Sequence, residues 1–289
     1  MKPQITQIAQ MLIEEIRSSG PISFKRYMEV CLYHPEFGYY TGGKNRFGRE
    51  GDFYTSAQLG TLFARLMTRR FEEMRRELGA LTVLEMGPGR GEFGRALPFD
   101  YISVEYGQPL PQRPITGCIF CNEFFDALPV EVYRGGQEVL VGERDGKFHW
   151  VGGPPTRESC PEAAAWMGRL AAVLERGYVV VVDYGYRGAE AARFPEGTLM
   201  TYRHHTASPD VFADPGERDI TAHVDFNRLA AAGRAAGLEE SCFESQGSYL
   251  MRLLDPEFLD AAPLEERLRL KNLLFGIGET MRVLEMRRP

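Results

Sequence analysis

A glycine-punctuated turn constrains this 289-residue chain more than any other feature of its sequence: Val83-Leu84-Glu85-Met86-Gly87-Pro88-Gly89-Arg90-Gly91-Glu92-Phe93-Gly94. An apolar run of strand length ends at Met86, Gly87, Gly89 and Gly91 recur at every second position, and a short helical pattern follows. Glycine is needed where a backbone turns sharply or approaches a ligand closely. The helix start that follows offers free N–H groups and the positive end of a dipole to an anion. Strand, glycine turn and helix together imply an open α/β sheet whose ligands bind beyond the carboxyl ends of its strands.

The rest of the chain agrees with that class. Ile5, Ile8, Leu12, Ile13 and Ile16 fall on one face of a first helix closed by Gly20-Pro21, and a second helix follows Ser23. A long amphipathic helix is expected from Ser56 to Leu78, with Gly79 at its end. Strands are expected at LTVLEM, YISVEY, GCIFCNEF, YVVVVDYG and TMRVLEM, with helices from Pro161 to Gly177, from Asp225 and from Pro263. Tyr178–Val182 is apolar on both faces, as in the middle of a parallel sheet covered on both sides. The expected organisation is an N-terminal helical extension with a glycine-rich loop over residues 1–55, then a Rossmann-like α/β domain with inserted helical segments over 56–289.

Composition excludes several functions. A formal net charge of −6 argues against non-specific nucleic-acid binding, which needs a basic face. No apolar run approaches the roughly 20 residues of a membrane helix. The N-terminus lacks the apolar segment of a secretory signal and the Arg/Ser richness of a transit peptide, so a cytoplasmic location is expected. Cys118 and Cys121 form a lone C-x-x-C among five cysteines. Without a second pair they read better as small buried residues of a strand than as a redox or zinc site. His204, His205 and His223 lack metal-ligand spacing, and no metal is expected.

The glycine spacing separates two cofactor classes. In a dinucleotide fingerprint counted from Gly87, the third glycine would fall at Glu92, whose carboxylate would repel a pyrophosphate. The observed order from Glu85 to Gly91, E-x-G-x-G-x-G, resembles the first motif of class I methyltransferases, which bind S-adenosyl-L-methionine. Glu105, at the tip of the next strand, can accept hydrogen bonds from ribose hydroxyls. Between Glu105 and Cys118 there is no room for the usual helix and strand, and three prolines in QPLPQRPITG preclude a helix. One side of the sheet is therefore expected to be trimmed.

Six strings then occur in order: GDFYTS (51–56), VLEMGPGRG (83–91), NEFFDALPV (122–130), VDYG (182–185), PGERDITAHVDF (215–226) and SQGSYL (245–250). On these residues the chain resembles the MidA-like family of methyltransferases, over about Ile5 to about Val283. The resemblance implies a class I fold, S-adenosyl-L-methionine as cofactor, and a protein arginine as acceptor. It further implies symmetric dimethylation of a respiratory complex I subunit. The cofactor is expected at Gly51, Asp52, Thr55, Glu85, Gly87, Gly89, Gly91, Glu105 and Asn122.

Glu123 and Asp126 are the candidate catalytic carboxylates, because a carboxylate can orient a guanidinium and concentrate lone-pair character on the attacking nitrogen. Asp126 could equally cap a helix starting there, and Asp183 could orient a substrate or a loop, or cap the following turn. A non-catalytic assembly protein on the same fold and a small-molecule methyltransferase are the alternatives. An NAD-dependent oxidoreductase is disfavoured by Glu92.

Overall fold

The computed structural model describes residues 6–42, 61–203, 206–255, 258 and 263–289. The chain divides into two compact units. The first joins Met1–Phe53, Ala127–Glu162 and Ala189–His223; the second joins Tyr54–Asp126, Ala163–Gly188 and Val224–Pro289.

The second unit carries the sheet announced by the glycine turn. Its strands are β1 (Thr82–Met86), β2 (Asp100–Val104), β3 (Ile115–Asn122), β4 (Leu174–Tyr186), β5 (Val224–Asp225), β6 (Glu239–Ser245) and β7 (Met281–Arg288). The order across the sheet is β6-β7-β4-β3-β1-β2, with β5 beside the end of β4. Neighbours from β2 through β4 run parallel, and β7 lies antiparallel between β4 and β6. Val179–Val182 of β4 are buried, as expected of a central strand covered on both faces.

Helix Thr61–Leu78 covers one face through Leu62, Phe63, Leu66, Met67, Phe71 and Met74. It ends where expected, at Gly79, whose φ of +82° suits the left-handed cap and whose N–H closes on Arg75 at 2.8 Å. The expected start at Ser56 lies outside the described residues. Strand β2 is the edge strand, and residues 105–114 form neither helix nor strand, so this side of the sheet is short, as the prolines demanded.

One helix boundary differs from expectation. The helix from Pro161 stops at Val173, not Gly177. Leu174 is already paired with Ile115 of β3, so the sheet captures the chain before the glycine.

The first unit corrects a second expectation: its inserted stretches are built mainly of strands rather than helices. Glu131–Arg134 and Gln137–Glu138 are joined through Gly135-Gly136, with φ of +58° and +83°. Leu140–Arg144 and Lys147–Val151 are joined through Asp145-Gly146, with φ of +53° and +76°. Two-residue loops with positive φ at both positions match the twist of a hairpin. Helices Gln7–Ser19 and Phe24–Tyr33 are capped by Thr6 and Ser23, whose hydroxyls accept from Ala9 and Arg26 N–H. Phe24, Tyr27, Met28 and Leu32 pack with Val132, Val141, Val211 and Ile220 in this unit's own core.

Candidate active site at the carboxyl edge of the sheet

Register brings the candidate residues into one line. Met86 pairs with Val104 on one side and Cys121 on the other, and Val182 pairs with Asn122. The residues just beyond these pairs, Gly87, Glu105, Glu123 and Asp183, therefore stand along the carboxyl edge of β1–β4, where ligands of open α/β sheets bind.

The turn after β1 is held by its own backbone. Gly87 N–H donates to Val104 O at 2.9 Å and Gly91 N–H to Pro88 O at 2.8 Å. Gly87, Gly89 and Gly91 have φ of +66°, +54° and +66°, the left-handed region that glycine enters without strain. A Cβ on Gly87 would stand 3.2 Å from Phe124 Cδ2, so the turn also needs glycine for space. Glu105 follows β2, and its Oε1 accepts Gly89 N–H at 3.1 Å. Burial raises its pKa and the Gly89 hydrogen bond opposes that. A carboxylate accepts several donors, so Glu105 can steady the turn and still take sugar hydroxyls.

Glu85 sits behind the turn, buried within β1. Its Oε2 accepts the Tyr101 hydroxyl from the neighbouring strand. Burial pushes its pKa up to about 7, the Tyr101 hydrogen bond pulls it down, and the charge of Glu105 adds to the rise. Tyr101 in turn requires Gly94, where a Cβ would stand 2.1 Å from the tyrosine Cζ. Sequence reasoning missed both Tyr101 and Gly94. The available signal was Glu85 itself, since a carboxylate in a buried strand needs a partner.

At the end of β3 the chain makes a tight turn and no helix begins, so Asp126 caps none, contrary to that expectation. Glu123 has φ +51°, and its N–H donates to Val182 O at 2.9 Å. Asn122 Nδ2 donates to Glu123 Oε1 at 3.2 Å, while the buried Asn122 Oδ1 has no hydrogen-bond partner among the described residues. Buried Asp183 accepts Phe125 N–H at 2.9 Å and Asp126 N–H at 3.4 Å on Oδ2, and Tyr184 N–H at 2.9 Å on Oδ1. Burial raises its pKa, the Phe125 N–H opposes this, and the charge of Glu123 raises it further. Asp126 is itself buried.

These residues fit S-adenosyl-L-methionine. The glycine turn presents bare backbone, Glu105 has acceptor capacity for a ribose, and Asn122 Oδ1 is a buried acceptor awaiting a donor. Gly51, Asp52 and Thr55, also expected at the cofactor, lie outside the described residues, as do His204 and His205.

Three other expectations can be placed. Cys118 and Cys121 are buried in β3, and burial holds both thiols far above the ordinary range, which suits packing rather than redox chemistry. His223 is pushed down to about 4 by burial and lies edge-on to Phe194 at 4.8 Å. Asp225 caps helix Phe226–Ala235, accepting Asn227 N–H at 3.0 Å and Arg228 N–H at 3.2 Å.

Comparison with known proteins points to the same cofactor class. The model of a family of candidate S-adenosyl-L-methionine-dependent methyltransferases matches residues 97–160 and 153–243, which together span half of the chain. The protein arginine methyltransferase NDUFAF7 homolog, mitochondrial, of Drosophila melanogaster is 27% identical over 85% of this chain and 74% of its own length. Mouse protein arginine methyltransferase NDUFAF7, mitochondrial, is 26% identical over 97% of this chain and 77% of its own. A crystal structure of a candidate methyl transferase from Burkholderia thailandensis, bound to S-adenosyl-homocysteine, superposes with a TM-score of 0.86 at 28% identity. It covers 97% of this chain and 92% of that one. The two curated relatives are mitochondrial by name, which overturns the cytoplasmic expectation: that expectation rested on features missing from the N-terminal sequence, and a missing feature assigns no compartment.

Proposed function

This chain belongs to that family of S-adenosyl-L-methionine-dependent methyltransferases, and from that premise we propose that it methylates an arginine of a protein substrate. The observation that carries the reading is Glu123, a carboxylate at the carboxyl edge, bridged to Asn122 in a left-handed backbone conformation that side chains rarely adopt. Strained backbone of this kind concentrates at functional sites. The names of the curated relatives, protein arginine methyltransferases, support the same acceptor.

When bound, S-adenosyl-L-methionine supplies a methyl group on a sulfonium. The backbone from Gly87 to Gly91 would hold its amino-acid end, Glu105 would take the sugar hydroxyls, and Asn122 would contribute its amide oxygen. A guanidinium is cationic and a poor nucleophile, so the protein must orient it and favour its lone pair. Glu123 would accept its N–H groups, orient one nitrogen for attack and take up the proton that nitrogen loses; Asp126 would be the second acceptor. Methyl transfer of this type depends chiefly on positioning.

The test is methylation of a pool of arginine-containing peptides with isotopically labelled S-adenosyl-L-methionine, followed by mass spectrometry. Label is expected on arginine nitrogens. Tight binding of S-adenosylhomocysteine by calorimetry, with label only on small molecules or none at all, would refute the arginine reading.

A further inference from the structure

Three non-glycine residues among those described carry positive φ: Glu123, Asp145 and Asp214. Asp145 sits in a two-residue hairpin loop, where that geometry is required. Asp214 lies in an exposed loop, ion-paired with Arg203 and Arg218. Both are aspartates, whose short side chains tolerate the left-handed region. Glu123 is longer and ends a buried strand, so its conformation must be imposed from outside.

What imposes it is visible on both sides of the residue. On the amino side, Glu123 N–H continues the β3–β4 ladder onto Val182 O at 2.9 Å. On the carboxyl side, Phe125 and Asp126 N–H both converge on Oδ2 of Asp183, at 2.9 and 3.4 Å. Two consecutive residues of β4 thus clamp the turn before and after the strained residue. Asp183 is wholly buried and its other oxygen is taken by Tyr184 N–H at 2.9 Å, so the side chain cannot swing away without abandoning three donors. Between the clamped points, Phe124 is wedged edge-on against Trp166 at 5.3 Å and Phe125 at 5.4 Å. A buried carboxylate is expensive unless it is fully hydrogen-bonded, and here the bonds it makes are those that fix this turn.

We propose that Asp183 is a positioning residue, which holds Glu123 in its left-handed conformation and so presents the Glu123 carboxylate to the acceptor. The proposal rests on the reading of Glu123 given above. Asp183 acts on the reaction through Glu123 alone and makes no contact with the substrate. Loss of Asp183 lets residues 123–126 relax toward an ordinary turn, which carries the carboxylate out of line.

A double-mutant cycle on the full chain tests this, with Asp183→Asn, Glu123→Gln and the pair. The readouts are release of S-adenosylhomocysteine with a pool of arginine-containing peptides, and the Kd for S-adenosylhomocysteine. Asp183→Asn is expected to lower kcat about tenfold or more while Kd stays within about twofold, and the double variant to be no slower than Glu123→Gln alone. Multiplying effects, or an unchanged kcat in Asp183→Asn, would overturn the proposal while leaving the role of Glu123 standing. Full activity in Glu123→Gln would overturn both. A stability cycle guards against misfolding: Glu123→Gly removes the backbone strain, so Asp183→Asn should shift the urea midpoint less in that background. If it fails to fold alone, it should fold there. An equal shift, or no folding in either background, would mean that Asp183 serves the fold generally, and would overturn the proposal.

Discussion

Replacing Gly94 by alanine separates steric need from backbone need. Gly94 lies in the short helix Glu92–Arg95, where alanine would ordinarily stabilise by up to about 1 kcal/mol. Here the added methyl would stand 2.1 Å from Tyr101 Cζ and 2.5 Å from both its Cε2 and its hydroxyl oxygen. The ring must move, and the hydroxyl that serves buried Glu85 moves with it. Overpacking costs about 1–3 kcal/mol, and leaving a buried polar group without its hydrogen bond about 1–3 kcal/mol. Set against the helix gain, Gly94→Ala should destabilise by roughly 1–5 kcal/mol.

Urea unfolding followed by circular dichroism measures this, with each transition fitted separately if the two units unfold apart. Tyr101→Phe isolates the hydrogen bond and should lose only that share. Gly94→Ala combined with Tyr101→Ala removes the collision, so the pair should be less destabilised than the two single changes added. A Gly94→Ala protein as stable as the wild type, or more so, would refute the packing argument.

Glu105→Ala should weaken S-adenosylhomocysteine binding roughly ten- to a hundredfold, the equivalent of about 1.5–3 kcal/mol for hydrogen bonds to a charged acceptor; unchanged calorimetric affinity would remove Glu105 from the sugar site. The folded pKa of Glu85 is raised from 4.5 to about 7, so the folded state holds this proton more tightly than the unfolded chain. Stability contributed by Glu85 is therefore lost as pH rises through that window, by up to about 3 kcal/mol. Glu85→Gln should lose less between pH 5 and pH 8 in urea titrations, and equal losses in both proteins would contradict the assignment. With Cys31, Cys118 and Cys121 buried, only Cys160 and Cys242 should react with a thiol reagent before unfolding; rapid labelling of Cys118 or Cys121 would revive the redox reading.

Much of the sheet was legible because its signals are local. The glycine turn, the two-sided apolar run of β4 and the caps at Gly79 and Asp225 each lie within a few residues. Gly135-Gly136 and Asp145-Gly146 were equally local hairpin signals, and the strands they join were still missed because helices were expected in the insertions. The antiparallel placement of β7 between β4 and β6 was not legible: a strand's partners depend on residues about a hundred positions away, as in Val179 opposite Met286. The site divides in the same way. Gly87, Glu105 and Asn122 follow from their position at strand ends, whereas the Tyr101–Glu85 contact and the ties from Asp183 to Phe125 and Asp126 exist only once the register between strands is set.

The first unit gathers its core from three separated stretches, with Phe24 and Tyr27 meeting Val132 and Val141 and then Val211 and Ile220. During synthesis the amino-terminal helices leave the ribosome long before their last packing partners are made. They must wait, amphipathic and half-covered, while the glycine turn and the first parallel strands are produced in between. Such long sequence separations slow folding and lengthen the exposure of apolar faces to chaperones and aggregation. A fragment ending near residue 55 should therefore be a poor candidate for independent expression, whereas a cut or fusion at Gly135-Gly136 interrupts only an exposed turn.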